Sequence, residues 1–180
     1  GKARFEDVTL SSGLGVETRF VGWGAAMLDL DNDGQPDLFL ATGGVYPEVE
    51  AAVPGYPFRT PRVIFRNLGN GKFEELFDQG GPGIAEAHCS RGCAFGDFDN
   101  DGLPDIWHTA TELETFPLFQ NRGKGIFIDV TGRSGLARPT LEMSGWSNGT
   151  ADFDNDGLKD LFVARGNVLD NIAEFSNRTY

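Results

Sequence analysis

One nine-residue loop occurs three times in this chain of 180 residues, and it restricts the fold more than any other feature. Asp29 to Asp37 reads D-L-D-N-D-G-Q-P-D, Asp97 to Asp105 reads D-F-D-N-D-G-L-P-D, and Asp152 to Asp160 reads D-F-D-N-D-G-L-K-D. Each copy has carboxylates at its first, third, fifth and ninth positions and Gly at its sixth. Alternate side chains of a tight loop converge on one point, so this spacing predicts an oxygen cage for a hard cation. The expected ligands are Asp29, Asp31, Asp33 and Asp37, then Asp97, Asp99, Asp101 and Asp105, then Asp152, Asp154, Asp156 and Asp160. The backbone carbonyl of the seventh residue (Gln35, Leu103 or Leu158) can join each set. Gly34, Gly102 and Gly157 are expected at positive φ, which lets the backbone turn sharply. Carboxylates, a carbonyl and water suit Ca²⁺ better than Mg²⁺, which keeps most of its waters, or zinc, which takes nitrogen and sulfur. The plain alternative is a set of metal-free Asx-turns. Three copies in register favour the cation, because four unneutralised carboxylates in one loop repel each other.

An EF-hand loop also begins D-x-D-x-D-G, but it needs Glu at its twelfth position and helices on both sides. Here the twelfth positions are Leu40, His108 and Val163. The residues after each ninth Asp read L-F-L-A, I-W-H-T and L-F-V-A. These are strand-forming and too short for a helix, so each loop links two strands.

With these surroundings the motif resembles the FG-GAP/VCBS repeats, the calcium-binding blades of integrin α-type propellers. The F-x-D-V-T and S-G-L segments resemble the variant found in the cartilage acidic protein group and its bacterial relatives. The resemblance covers essentially the whole chain. It implies an all-β propeller with one calcium loop per blade, and it leaves the ligand open.

The periodicity supports blades independently. Asp29 to Asp97 is 68 residues and Asp97 to Asp152 is 55, a range that fits several strands per repeat. Before each loop runs a segment of mostly small residues: Gly22–Leu28, Ser90–Gly96 and Gly145–Ala151. It reads as the innermost strand, where blades converge and space is short. Second strands are expected over Pro36–Ala41, Pro104–Thr109 and Lys159–Ala164, with period-two alternation. Third strands are expected over Arg62–Asn67, Pro117–Asn121 and Glu174–Tyr180. Outer strands are expected over Phe73–Phe77, Phe127–Thr131 and, at the N-terminus, Phe5–Thr9. The expected division is an outer strand and linker over 1–20, then blades over 21–79, 80–133 and an incomplete 134–180. Closed propellers have four to eight blades. The expectation is therefore either a segment of a longer propeller or a homo-oligomer in which Phe5–Thr9 of one chain completes the last blade of another.

Charge narrows the partners. The formal charge is −12, from 27 acidic and 15 basic residues. Three bound Ca²⁺ would leave about −6, so much of the acidity is metal demand. No basic stripe exists for phosphates, which argues against nucleic acid. No apolar run approaches the length of a membrane-spanning helix, so no membrane insertion is expected. Loops without the bidentate Glu suit millimolar calcium, which points to a secreted, cell-surface or periplasmic setting.

The insertion Gly43–Pro61 carries Tyr46, Tyr56, Phe58 and Arg59, residue types that suit protein or glycan recognition. Its alternative is a stiff loop folded on its own blade. Cys89 and Cys93 form either a disulfide across a turn or two buried thiols, and with His88 and His108 they match no zinc pattern. Trp23 and Trp146 share one inner-strand position, occupied by Arg91 in the second repeat, and serve either as a ligand platform or in blade packing. Asn148 and Asn177 head N-x-T sequences, glycosylation acceptors only in a eukaryotic secretory system, and the inner-strand position of Asn148 argues against its use. No catalytic constellation stands out. Glu86 with His88 and Glu112 with Glu114 are the nearest acid/base pairs. The expected function is a calcium-binding recognition or adhesion module, with part of a calcium-dependent polysaccharide lyase as the second reading.

Overall fold

The computed structural model describes residues 3–16, 19–142 and 144–167. Ten strands form three antiparallel sheets among these residues. The first sheet is β1 (Gly22–Leu28), β2 (Asp37–Thr42), β3 (Val63–Gly69) and β4 (Lys72–Glu75), in that order. The second is β5 (Ser90–Gly96), β6 (Asp105–Ala110), β7 (Leu118–Asn121) and β8 (Phe127–Asp129). The third holds β9 (Gly145–Ala151) and β10 (Asp160–Arg165). Sequential antiparallel order is the blade pattern, and each aspartate loop joins an inner strand to its neighbour. The helices are short: α1 (Thr9–Ser12), α2 (Pro47–Ala52), α3 (Pro82–Ala85), α4 (Thr131–Ser134) and α5 (Ala137–Thr140). The chain is all-β in class, built of propeller-like blades.

Alternation decides which sheets touch. β6 is buried along its whole length because blades cover both its faces. Ile106 and Phe119 join Leu30, Phe39, Ile64 and Phe127 in one core between the first two blades. Trp107 and Leu118, one residue away, join Ala94, Phe116 and Val130 in a second core, against which Leu161 and Val163 of the third blade pack. Each fully buried aromatic or branched side chain contributes about 1.5–3 kcal/mol.

The small residues of the inner strands have the expected reason. A Cβ on Gly24 would meet the Arg91 carbonyl and the Cys93 amide at 2.9 Å. A Cβ on Gly92 would meet the Trp146 carbonyl at 2.8 Å. Inner strands of successive blades therefore approach closely enough to exclude a side chain.

One expected strand is absent. Phe5–Val8 carries no strand, and Thr9 opens α1 instead. The equivalent Phe127 is fully buried, whereas Phe5 is 96% exposed. The local turn is the same in both places: Asp7 accepts the Thr9 N–H at 3.0 Å, Asp129 accepts the Thr131 N–H at 2.7 Å, and Gly13 and Gly135 both lie at positive φ. What differs is the neighbour. β8 pairs with β7, whereas no described strand lies beside Phe5. The D-V-T turn is local, but a strand needs a partner ladder. The third-strand expectation at Glu174–Tyr180 lies outside the described residues.

Candidate metal centres

Each aspartate loop is tied by the same backbone bonds. The first Asp accepts two amides: Asp29 from Asp33 (3.0 Å) and Gly34 (2.8 Å), Asp97 from Asp101 (3.0 Å) and Gly102 (2.9 Å), Asp152 from Asp156 (3.1 Å) and Gly157 (2.9 Å). The fifth Asp accepts the amide of the seventh residue, so Gln35, Leu103 and Leu158 each donate N–H to Asp33, Asp101 and Asp156. Gly34, Gly102 and Gly157 sit at φ of 89°, 85° and 88°. The fourth residues, Asn32, Asn100 and Asn155, also take positive φ, near 60°. Asn is among the few residues that tolerate this region, so the invariant D-N-D-G order is a backbone requirement as well as a charge pattern.

These bonds gather the carboxylates. Ligand atoms of Asp29, Asp31 and Asp33 lie within 4.8 Å of one another. The same holds for Asp97, Asp99 and Asp101, and for Asp152, Asp154 and Asp160. No His or Cys joins these groups. The donor set is all oxygen, which fits a hard cation. The sharper test is Asp31: its Oδ1 is buried with no hydrogen-bond partner. A buried, unsatisfied carboxylate oxygen is costly unless something cationic meets it.

The ninth Asp has a second task that sequence spacing does not reveal. Asp37 accepts Leu30 N–H at 3.0 Å and Asn67 N–H at 2.8 Å, and it is 2% exposed. Asp105 does the same with Phe98 (3.0 Å) and Asn121 (2.8 Å). Each thus pins its loop to the third strand of its own blade, while every oxygen keeps a second lone pair. Burial raises the pKa of both, the amide bonds oppose this, and the charges of the third and fifth aspartates add to the rise. Asp160 accepts Phe153 N–H at 2.8 Å and has no third-strand amide among the described residues.

The third Asp meets a side chain of the third strand. Arg66 Nε lies 3.5 Å from Asp31 Oδ2, and at the equivalent place Gln120 donates to Asp99 and is itself held by Arg133. Asn67 and Asn121 donate their side-chain amides to Pro36 O and Pro104 O, and Asn121 also reaches Leu30 O at 2.8 Å. That last bond joins the first loop to the second blade. The repeated F-R-N and F-Q-N triplets are the sequence trace of this support.

The remaining candidates separate clearly. Cys89 and Cys93 are free thiols, and burial raises both, Cys93 to about 11. Their strand carries a bulge between Ser90 and Cys93 but no turn that closes them into a bridge. His88 and His108 stack edge to face at 6.0 Å, and burial holds His108 neutral. Arg91 lies over the Trp23 ring at 4.3 Å and Trp146 meets Trp23 edge-on at 6.2 Å, which is contact between blades. The Asn148 amide donates to Trp107 O at 2.8 Å across two blades, so it is not a free glycan acceptor. Asn177 lies outside the described residues.

The insertion after β2 folds back through Gly44 N–H to Phe58 O (2.7 Å) and the bridge of Thr60 with His88. It brings Arg59 onto Glu114, 55 residues away. Glu114 is almost fully buried. Burial alone would raise its pKa, but His88, Arg59 and the Cys89 amide outweigh that and hold it at about 2. Glu86 approaches His88 at 3.9 Å and Glu114 approaches it at 3.7 Å. Nothing in the sequence connects Arg59 to Glu114, because neither spacing nor motif relates them.

Comparison with known proteins agrees with this architecture. The model of the FG-GAP-like repeat matches residues 51–108. The chain is 27% identical over 158 residues to Cartilage acidic protein 1 of Xenopus tropicalis, which covers 85% of this chain. The chain spans 22% of that protein's length.

Proposed function

We infer that this chain, which belongs to the FG-GAP repeat family, is a calcium-loaded recognition module that works outside the cytoplasm. The observation that carries the calcium reading is the convergence of three carboxylates within 4.8 Å in every loop, with Asp31 Oδ1 buried and unpartnered. Asp29, Asp31, Asp33, Asp97, Asp99, Asp101, Asp152, Asp154 and Asp160 would hold the ions, with Asp37, Asp105 and Asp156 beside them. A bound Ca²⁺ supplies positive charge that offsets carboxylate repulsion and fixes the loop. The protein's own part is to preset the cage through backbone amides.

Recognition is supported by what the loops leave for other work. The blades are a rigid frame, and the insertion of the first blade carries exposed aromatic and charged side chains. Secretion or surface display follows from the calcium level that such loops need. No helix among the described residues is long and apolar enough to cross a membrane.

A polysaccharide lyase is the second reading, favoured by one observation: Arg59 and His88 meet on the same Glu114. Against it stands the acidic surround of that pair, which opposes a polyanionic substrate. Thermal melting of calcium-loaded protein with and without chelator tests the calcium reading. Chelation should lower the melting temperature, since a ligand bound only by the native state stabilises it by about 2.7 kcal/mol at a hundredfold excess over its Kd. An unchanged melting curve would overturn it. Turnover of an acidic polysaccharide would instead establish the second reading.

A further inference from the structure

We propose that the cleft between the first-blade insertion and the Thr111–Pro117 loop of the second blade binds a protein segment in which Lys or Arg is flanked by apolar side chains. This rests on the recognition reading above and gives it a place and a ligand class.

The cleft has a volume of about 630 Å³. That is within the ordinary range for ligand sites and suits a few side chains rather than a domain. Its walls come from chain segments of three blades: the insertion after β2, the loop after β6, and Ser144, which precedes β9. The aspartate loops lie at the other ends of those strands. The cleft is therefore separate from the candidate ion sites and is held by the same strands.

Two features of the lining select the ligand. The apolar part is Tyr46, Phe58 and Leu113. Leu113 is 65% exposed and sits at φ 68°, held there by its N–H on Leu141 O at 2.8 Å. A leucine in the left-handed region is strained, and exposure gives no burial to compensate. A partner that covers it would. The charged part is unequal. Among the described lining residues Glu48 and Glu50 add to Glu114, and the one cation, Arg59, is already bound to Glu114. The surplus is negative, so a cation is preferred and an acidic chain is repelled. Half-exposed Tyr46 adds an aromatic face of the kind that attracts ammonium and guanidinium groups.

The test uses the full chain, calcium-loaded, at physiological salt. The probe is a fluorescein-labelled, acetylated peptide of about six alternating leucines and lysines, read by anisotropy. Two protein variants separate the cleft from the general acidity. Leu113→Asn keeps a residue that tolerates positive φ and changes no charge. Glu48→Gln with Glu50→Gln removes two charges from the cleft alone, and a glutamine can still accept the Phe58 N–H. Each should weaken binding about tenfold or more, with calcium uptake and melting temperature unchanged. A leucine–glutamate peptide should not bind. Binding by both variants as tight as by the unaltered protein would mean diffuse attraction to an acidic protein and would overturn the proposal. So would binding of the glutamate peptide, or displacement of the lysine peptide by a neutral oligosaccharide. Absence of peptide binding with normal calcium uptake would sink the cleft assignment and leave the calcium reading standing. Failed calcium uptake would sink that reading by itself, whatever the peptide does.

Discussion

The second and third aspartate loops differ in sequence at one position of nine, Pro104 against Lys159, yet they stand in different surroundings. The second is braced from outside. Asp105 is 2% exposed and holds Asn121 of β7, while Asp99 receives Gln120. The third is held by its own backbone: Asp156 N–H contacts Asp152 and Asp154, and Phe153 and Leu158 are 63% and 58% exposed. Among the described residues no third strand supports it. The contrast teaches that the nine residues encode the turn, since both loops make the same internal bonds, and that in the second blade the neighbouring strand adds rigidity before an ion arrives. Preorganisation of that kind lowers the ordering cost of binding. Removing that bracing should therefore weaken calcium binding at the second site.

The largest expected effect comes from the ninth position. Asp105→Ala strands the buried Asn121 amide and the half-buried Phe98 amide, each worth about 1–3 kcal/mol. Among the described residues Asp160→Ala releases one amide, that of the exposed Phe153, and should cost about 1 kcal/mol. Urea denaturation of both variants in chelator checks this without interference from metal. Equal losses would show that bracing by β7 contributes nothing.

An acid titration in chelator sharpens the contrast further, because Glu114 is a buried carboxylate satisfied by protein groups alone. Its folded pKa is about 2 against an ordinary 4.5. A depressed carboxylate stabilises the fold above the unfolded pKa, and that stability is lost as pH falls through the window from about 4.5 to about 2. The contribution at neutral pH is on the order of 2 kcal/mol. Glu114→Gln should remove this acid limb and leave calcium uptake intact. An unchanged limb would place the acid sensitivity elsewhere, in the loops.

A smaller effect separates the first loop from the second. Arg66 competes for Asp31 where Gln120 contacts Asp99 without charge. Arg66→Gln should raise calcium affinity at the first site by about two- to fivefold, the scale of a partly exposed ion pair. Calorimetric titration would show it, and no change would mean that Arg66 swings aside without cost.

Much of this was legible in the sequence, for physical reasons that differ by element. The inner strands fall at the expected bounds, Gly22–Leu28, Ser90–Gly96 and Gly145–Ala151. There a run of small residues against a turn motif leaves little freedom. The second strands begin one residue later than expected, at Asp37, Asp105 and Asp160; Pro36 and Pro104 have no N–H for the ladder, but Lys159 has one, so the bound is set by the loop, whose ninth Asp is the first residue paired with the inner strand. Phe5–Thr9 misled because its D-V-T turn is local and its strand pairing is not. The anchoring of Asp37 to Asn67 and of Asp105 to Asn121, and the meeting of Arg59 with Glu114, depend on contacts 16 to 55 residues apart, which spacing within a motif cannot encode.

The most direct measurement is a calcium titration of metal-stripped protein by isothermal calorimetry, repeated on Asp97→Ala and Asp152→Ala. The account predicts three ions per chain, with one ion lost in Asp97→Ala and one lost in Asp152→Ala. Fewer than three ions, or an unchanged ion count in either variant, would contradict it.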